Sequence, residues 1–397
     1  MIQDANLNLP ELGRLRQRAT LVGTAAIVLC LVGAFFNREQ FFRSYLFAYV
    51  YWVGIATGSL AILMLHHLSG GAWGVMIRRL LEAATRTLPL AALLFLPVAM
   101  GMGHLYEWAI PEVVEGDKIL QHKAPYLNAP FFLARTIFYF LVWIALSRLL
   151  NKWSRQQDET GDPSLAGRME ALSGPGLVLF GATVTFASFD WVMSLEPHWF
   201  STVFGLSFMV GQVLTAFPFA IAVTFFLSTR KPMSEAVSAQ HFHDLGKLTL
   251  AFVMLWAYLN FSQYLIIWSG NLPEETPYYV KRLTGGWQFF QLALILFHFA
   301  MPFILLLSRS LKRSGVKLAR IARLLLFMRF VDLYLQIAPA GHHHGQAAGL
   351  HPHWMDLAAP IGVGGLWLAV FLRQLESRPV LPVRDPQFAE ALEGSGH

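Results

Sequence analysis

A chain of 397 residues with 55% hydrophobic and only 14% charged positions cannot be an ordinary soluble globule, in which about a quarter of residues are charged; it reads as a polytopic, all-α membrane protein. Its single cysteine, Cys30, excludes a disulfide framework and a Cys-ligated iron–sulfur cluster, and no Cys-x-x-Cys-His is present for covalent haem attachment. The formal net charge of +6 needs no nucleic-acid partner, because the basic excess lies on one side of the predicted spans.

Crossing a hydrocarbon core of roughly 30 Å takes about 20 helical residues, and about ten apolar stretches approach that length. The first, 20–36, follows Arg14, Arg16 and Arg18; no small-x-small cleavage pattern comes after it, so an uncleaved helix is expected rather than a signal peptide. The second, 42–65, contains Gly54-Ile55-Ala56-Thr57-Gly58, small residues expected to pack within the chain rather than to dimerise, and ends at His66 and His67. The third, 80–103, carries Glu82 and Arg86. A long segment, 104–128, leads to the fourth, 130–149, which holds Arg135. The fifth, 176–195, holds Asp190 and runs directly into Glu196 and His198. Spans at 200–227, 248–269 and 287–307 follow, the last two bearing Asn260, Gln263, Gln288, Gln291 and His298. The ninth, 318–337, has Arg329 and Asp332, and the tenth is 357–371.

Alternate loops collect the basic residues. Arg78 and Arg79, Arg148 to Arg168, Arg230 to Lys247, Arg309 to Arg320 and Arg373 to Arg384 fall on the side of the amino terminus, against only Arg38, Arg43, Lys118, Lys123, Lys281 and Arg282 on the other. The positive-inside rule then puts both termini in the cytoplasm.

Spans two and six align without gaps, Ser44 with Ser201, Phe47 with Phe204, Val53 with Val210 and Gly54 with Gly211; spans four and eight match Phe138, Leu146, Ser147 and Arg148 with Phe299, Leu307, Ser308 and Arg309. Two tandem four-helix bundles plus two peripheral helices are expected. Residues 1–41 would be the cytoplasmic start and first peripheral helix, 42–173 helices two to four with an inner loop, and 174–199 the fifth helix completing the first bundle. The second bundle would take 200–340, and 341–397 the outer His-rich loop, the tenth helix and a cytoplasmic tail.

Ionisable groups inside a membrane are expensive and are functional candidates. Residue counting sorts them into two layers. Arg135, Asp190, Arg329 and Asp332 lie toward the outer surface, with Glu196 and His198 at the interface; Glu82, Arg86, His66 and His67 lie toward the inner one, with His298 assigned to the same half. Glu82 with Arg86 (i, i+4) and Arg329 with Asp332 (i, i+3) have ion-pair spacing, and Arg135 sits at the depth of Asp190 on the neighbouring helix. These groups either neutralise one another and set helix register or line proton half-channels, separated by roughly 15 Å of apolar helix. No two histidines share a depth on facing helices, which argues against a di-haem cytochrome b. Asn260, Gln263, Gln288 and Gln291 are candidates for a quinone cavity or for interhelical hydrogen bonding. His342, His343, His344, His351 and His353 could chelate a metal, but a loop that docks a partner is the favoured reading, and no metal site is assigned.

One stretch, Asp190-Trp191-Val192-Met193-Ser194-Leu195-Glu196 with Pro197-His198-Trp199-Phe200-Ser201-Thr202, resembles a signature of the NrfD-like (polysulfide reductase-type) membrane subunits of bacterial alternative complex III, specifically the smaller, ActF-like kind. Leu283-Thr284-Gly285-Gly286-Trp287-Gln288, Arg329-Phe330-Val331-Asp332-Leu333-Tyr334 and His353-Trp354-Met355-Asp356-Leu357-Ala358-Ala359 to Gly364-Gly365-Leu366-Trp367 fit the same pattern. The resemblance implies a subunit of a quinol:cytochrome c, or other quinol:acceptor, oxidoreductase in a bacterial inner membrane, with no covalently bound cofactor of its own. Quinol or menaquinol would be the redox ligand and lipid the surrounding solvent. The implied partners are a longer NrfD-like paralogue, an iron–sulfur subunit, a multihaem cytochrome c subunit, other subunits of that complex and a terminal oxidase. A secondary transporter with tandem repeats is the alternative.

Overall fold

The computed structural model describes residues 10–340 and 349–393; His342, His343 and His344 lie outside them. All described elements are helical. Nine of the described helices are long and apolar enough to cross a membrane, which makes this a multi-pass, all-α membrane protein. They are α1 (Pro10–Phe36), α2 (Arg38–Ser69), α3 (Ala72–Met100), α4 (Ala129–Thr160), α5 (Ser164–Leu195), α6 (Phe204–Ser228), α7 (Ala239–Gly270) and α8 (Trp287–Leu307), and, after α9 (Gly315–Ile337), α10 (Met355–Glu376). The expected ninth span is helical along its whole length, but Lys317, Arg320, Arg323, Arg329 and Asp332 make α9 too charged to count by composition alone.

Local chemistry sets several ends. Asn37 and Asn128 accept from the backbone N–H three residues on, Gln40 and Phe131, and so start α2 and α4. Gly161 (φ 72°) and Asn271 (φ 44°) close α4 and α7 in the left-handed region. The third span is the one most altered from expectation. It begins at Ala72, eight residues early, and is broken into Ala72–Thr85, Leu88–Leu94 and Leu96–Met100. Pro89 has no N–H to offer the carbonyl of Thr85, four residues back. Ser147 on α4 takes that acceptor instead, its hydroxyl donating at 3.1 Å.

Helices α2 and α6 occupy the centre: 94% of the apolar window of α2 and 72% of that of α6 are buried. They pack on each other, α2 also on α3, α5 and α10, and α6 also on α5, α7 and α9. Gly58 makes the approach possible. A Cβ there would stand 2.3 Å from the carbonyl oxygen of Gln212, so the Gly54 to Gly58 run serves intramolecular packing. Helices α1 and α10 form a second close pair, with Gly23 against the backbone of Gly365 and Leu366. Both were expected at the periphery. Only 17% of the α1 window is buried, whereas α10 reaches 67% because it is wedged between α1, α2 and α3.

Candidate functional site

Asp190, at the end of α5, is fully buried. Arg135 of α4 meets it with two parallel bonds, Nε to Oδ2 at 2.9 Å and Nη2 to Oδ1 at 2.8 Å, and the Tyr139 hydroxyl donates to Oδ2 at 2.7 Å. The guanidinium is itself held between the Tyr126 and Phe131 rings and donates to the Tyr126 carbonyl at 2.9 Å. This bidentate, aromatic-lined geometry gives both carboxylate oxygens hydrogen-bond partners away from water. Of the two cations at matching depth, Arg135 is its partner.

Arg329 belongs to a separate cluster. It pairs with Asp332, which also accepts from Trp256 Nε1 at 3.1 Å and Gln336 Nε2 at 3.0 Å. Gly211 on α6 leaves the room: a Cβ there would lie 2.4 Å from the Arg329 guanidinium carbon. His298 packs edge-on against Trp256, with ring centroids 4.3 Å apart, fully buried and with no hydrogen-bond partner at either ring nitrogen. Through Trp256, which donates to Asp332, His298 is linked to the Asp332 cluster. It sits on a π-helical turn, Leu294–Ala300, within α8, a local widening that often accompanies functional positions.

At the interface beyond α5, Glu196 pairs with Lys281 at 2.9 Å and with Arg282 at 2.8 Å, and His198 Nε2 stands 2.6 Å from Asp117. Burial alone would raise the Glu196 carboxyl, yet the charges of Arg282 and Lys281 and their hydrogen bonds hold it below the usual carboxylate range. Arg282 also donates to the main-chain oxygens of Leu335 (3.1 Å) and Gln336 (2.9 Å), joining the Glu196 site to the Asp332 cluster.

The layer around Glu82 is a denser network than expected. Glu82 binds not Arg86 but Arg78 (2.9 Å) and Arg79 (2.6 Å), and accepts from Ser154 of α4 at 2.6 Å. Helical side chains lean toward the amino-terminal turn, so Glu82 covers its predecessors. Arg86 stands where the helix breaks and donates to Gln374 O (2.6 Å) and Ser377 Oγ (3.0 Å) beside α10. Arg78 continues to Asp385 and Arg79 to Asp158. Both arginines were placed in a loop by residue counting; both are buried. His66 and His67 lie at the same end without forming a hydrogen bond to Glu82; His66 packs on Trp73.

No protein-family model matches the chain, and no curated protein matches it.

The four polar residues considered for a quinone cavity share no hydrogen-bond partner. Gln263 accepts from Ser201 and donates to Tyr279, Asn260 donates to the Trp256 carbonyl one turn back, Gln288 accepts from Gly286 N, and Gln291 is half-buried. A cavity of about 250 Å³ instead opens at the start of α2 and the end of α9, lined by Gln40, Arg43, Trp287, Tyr334, His351 and Asp356 among others. Asp356 is tied there to Ser44 (2.6 Å), Gln40 (2.8 Å) and Tyr334 (3.0 Å), and accepts from His353 N at 2.9 Å, fastening α10 to α2 and α9. Among the described residues no group of His, Cys, Asp and Glu is arranged to hold a metal ion. Residue counting missed Arg78, Arg79, Lys281, Arg282 and Asp356. The i−4 and i−3 spacing of the first two from Glu82 was the available signal.

Proposed function

We propose that this chain is a cofactor-free integral-membrane subunit of a quinol-oxidising complex of the alternative complex III type, an NrfD-like subunit of the smaller kind. It would lie in a bacterial cytoplasmic membrane with both termini inside, beside a longer paralogue, an iron–sulfur subunit and a multihaem cytochrome c. The observation that carries this reading is the pair of buried charge layers at opposite ends of the bundle, Glu82 with its arginines at one and Asp190 and Asp332 at the other, alongside the sequence resemblance above. Central packing of α2 on α6, the two helices aligned by the internal repeat, supports two tandem bundles.

In this role the layers hold the helices in register and act as proton half-channels. Arg135 and Ser154 mark the two layers on α4 and are nineteen residues apart, about 28 Å of helix. Residue counting along the apolar stretches gives a shorter gap, roughly 15 Å. Direct transfer over that distance is excluded, so a chain of waters or a conformational step must bridge it. A transporter is disfavoured by where the helices are interrupted: α3 and α8 are not partners under the repeat, whereas transporters break corresponding helices in both halves.

The test is the assembled complex in vesicles carrying Asp190→Asn or Glu82→Gln. Electron transfer that persists while the proton-to-electron ratio falls supports the half-channels. An unchanged ratio with altered assembly or thermal stability alone leaves only the scaffold. Purification from the native membrane without co-eluting c-type haem overturns the assignment to the complex.

A further inference from the structure

Helices α1 and α10 touch where Gly23 meets Gly365, with no side chain between the backbones. On the side of Arg16 and Arg373 an open, shallow groove of about 950 Å³ runs along the two helices. Its floor is mostly small or apolar, with Thr20, Leu21, Thr24 and Ala25 on one side and Ala369 and Val370 on the other, and Gln17 lies beside Arg16. The Thr20 hydroxyl donates to the Arg16 carbonyl one turn back at 2.9 Å, so its donor is satisfied within the helix. From Arg16 to Ala25 the floor runs about 14 Å, close to the depth of one leaflet of a roughly 30 Å core.

Two cations stand at the mouth, Arg16 and Arg373. Arg16 is paired with Glu376. Arg373 is exposed and has no ion-pair partner among the described residues, so the mouth carries one uncompensated positive charge. A guanidinium with free donors is suited to bidentate binding of a phosphate oxygen pair, and basic pockets between membrane helices take lipid head groups.

We propose that this groove is a binding site for one anionic glycerophospholipid, its phosphate on Arg373 with Arg16 beside it and an acyl chain laid along Leu21, Thr24 and Val370. The ligand is a lipid rather than free phosphate because the apolar floor makes up most of the site. It is anionic rather than zwitterionic because the one unpaired cation matches the net charge of a phosphodiester with no attached ammonium.

The experiment uses the protein purified in its native assembly, delipidated and offered an equimolar mixture of phosphatidylglycerol and phosphatidylcholine, with retained lipid counted by native mass spectrometry. The wild type is expected to retain phosphatidylglycerol by about fivefold, the preference that one interfacial cation confers. Arg373→Gln should bring the two lipids to parity. Thr24→Trp, which fills the floor and leaves both arginines, should lose both lipids. Arg320→Gln, an exposed basic residue outside the groove, should retain the wild-type preference, and excess inorganic phosphate should not compete. Parity in the wild type, an equal loss in Arg320→Gln, or displacement by phosphate alone overturns the proposal. A photocrosslinking residue at position 24 must yield a lipid adduct; an adduct with another polypeptide overturns it in favour of a protein partner.

Discussion

His298 and Glu196 show how differently two ionisable side chains can be held in one protein. His298 is enclosed with both ring nitrogens unpartnered, and a buried polar group left unpaired costs about 1–3 kcal/mol. His298→Leu should therefore leave the thermal midpoint in detergent unchanged or raise it. A fall as large as that of a core truncation such as Trp256→Ala would reveal a partner for the imidazole. Glu196 is the opposite case, a carboxyl held low by Arg282 and Lys281 against its own burial. Its stabilisation is fully present above the unfolded value of about 4.3 and is lost as pH falls through the lower folded value. Glu196→Gln should destabilise at neutral pH, and the difference from wild type should close progressively on acidification below about pH 4; a difference constant from pH 7 to pH 3 would show that charge is not the cause.

Between elements, the closest approaches rest on missing side chains. Gly58 and Gly54 sit on the same face of α2, yet they differ in what a methyl group would meet. At Gly58 it would strike the Gln212 carbonyl, backbone that cannot move without shifting α6; at Gly54 it would find the Gln212 side chain at an ordinary 3.6 Å. Gly58→Ala should cost about 1–3 kcal/mol through overpacking, whereas Gly54→Ala should fall within about 1 kcal/mol of wild type. Chemical denaturation in mixed micelles would separate the two, and equal effects would mean that the α2–α6 contact is looser than its geometry. The break in α3 follows the same logic in reverse. A carbonyl released by Pro89 is recovered by Ser147, so the helix can bend without leaving an unpaired acceptor in hydrocarbon.

Across the whole molecule, basic residues divide the loops into two sets, and that division predicts orientation. Reporter fusions after Gly161 and after Ser314 should read cytoplasmic, and one after Gly116 external. Placing the first beyond Gly161 matters because α4 continues to Thr160, past Lys152. A reversed reading at any of the three positions would overturn the count of crossings.

Nine of the ten expected spans were legible from composition because lipid demands long apolar helices wherever the chain crosses, while α9 is helical but too charged to count that way. The pairing of Arg329 with Asp332 was legible because both lie on one helix at fixed spacing. Arg135 with Asp190 came within reach because consecutive antiparallel helices place equal depths side by side. What required the tertiary structure were the long-range meetings: Asp385 with Arg78, Asp158 with Arg79, Glu196 with Arg282, and Asp356 with Ser44. Helix rotation, the break after Thr85 and the wedging of α10 decide those contacts. Residue counting along a helix gives depth but not azimuth, so it could not show that Trp256 stands between His298 and Asp332.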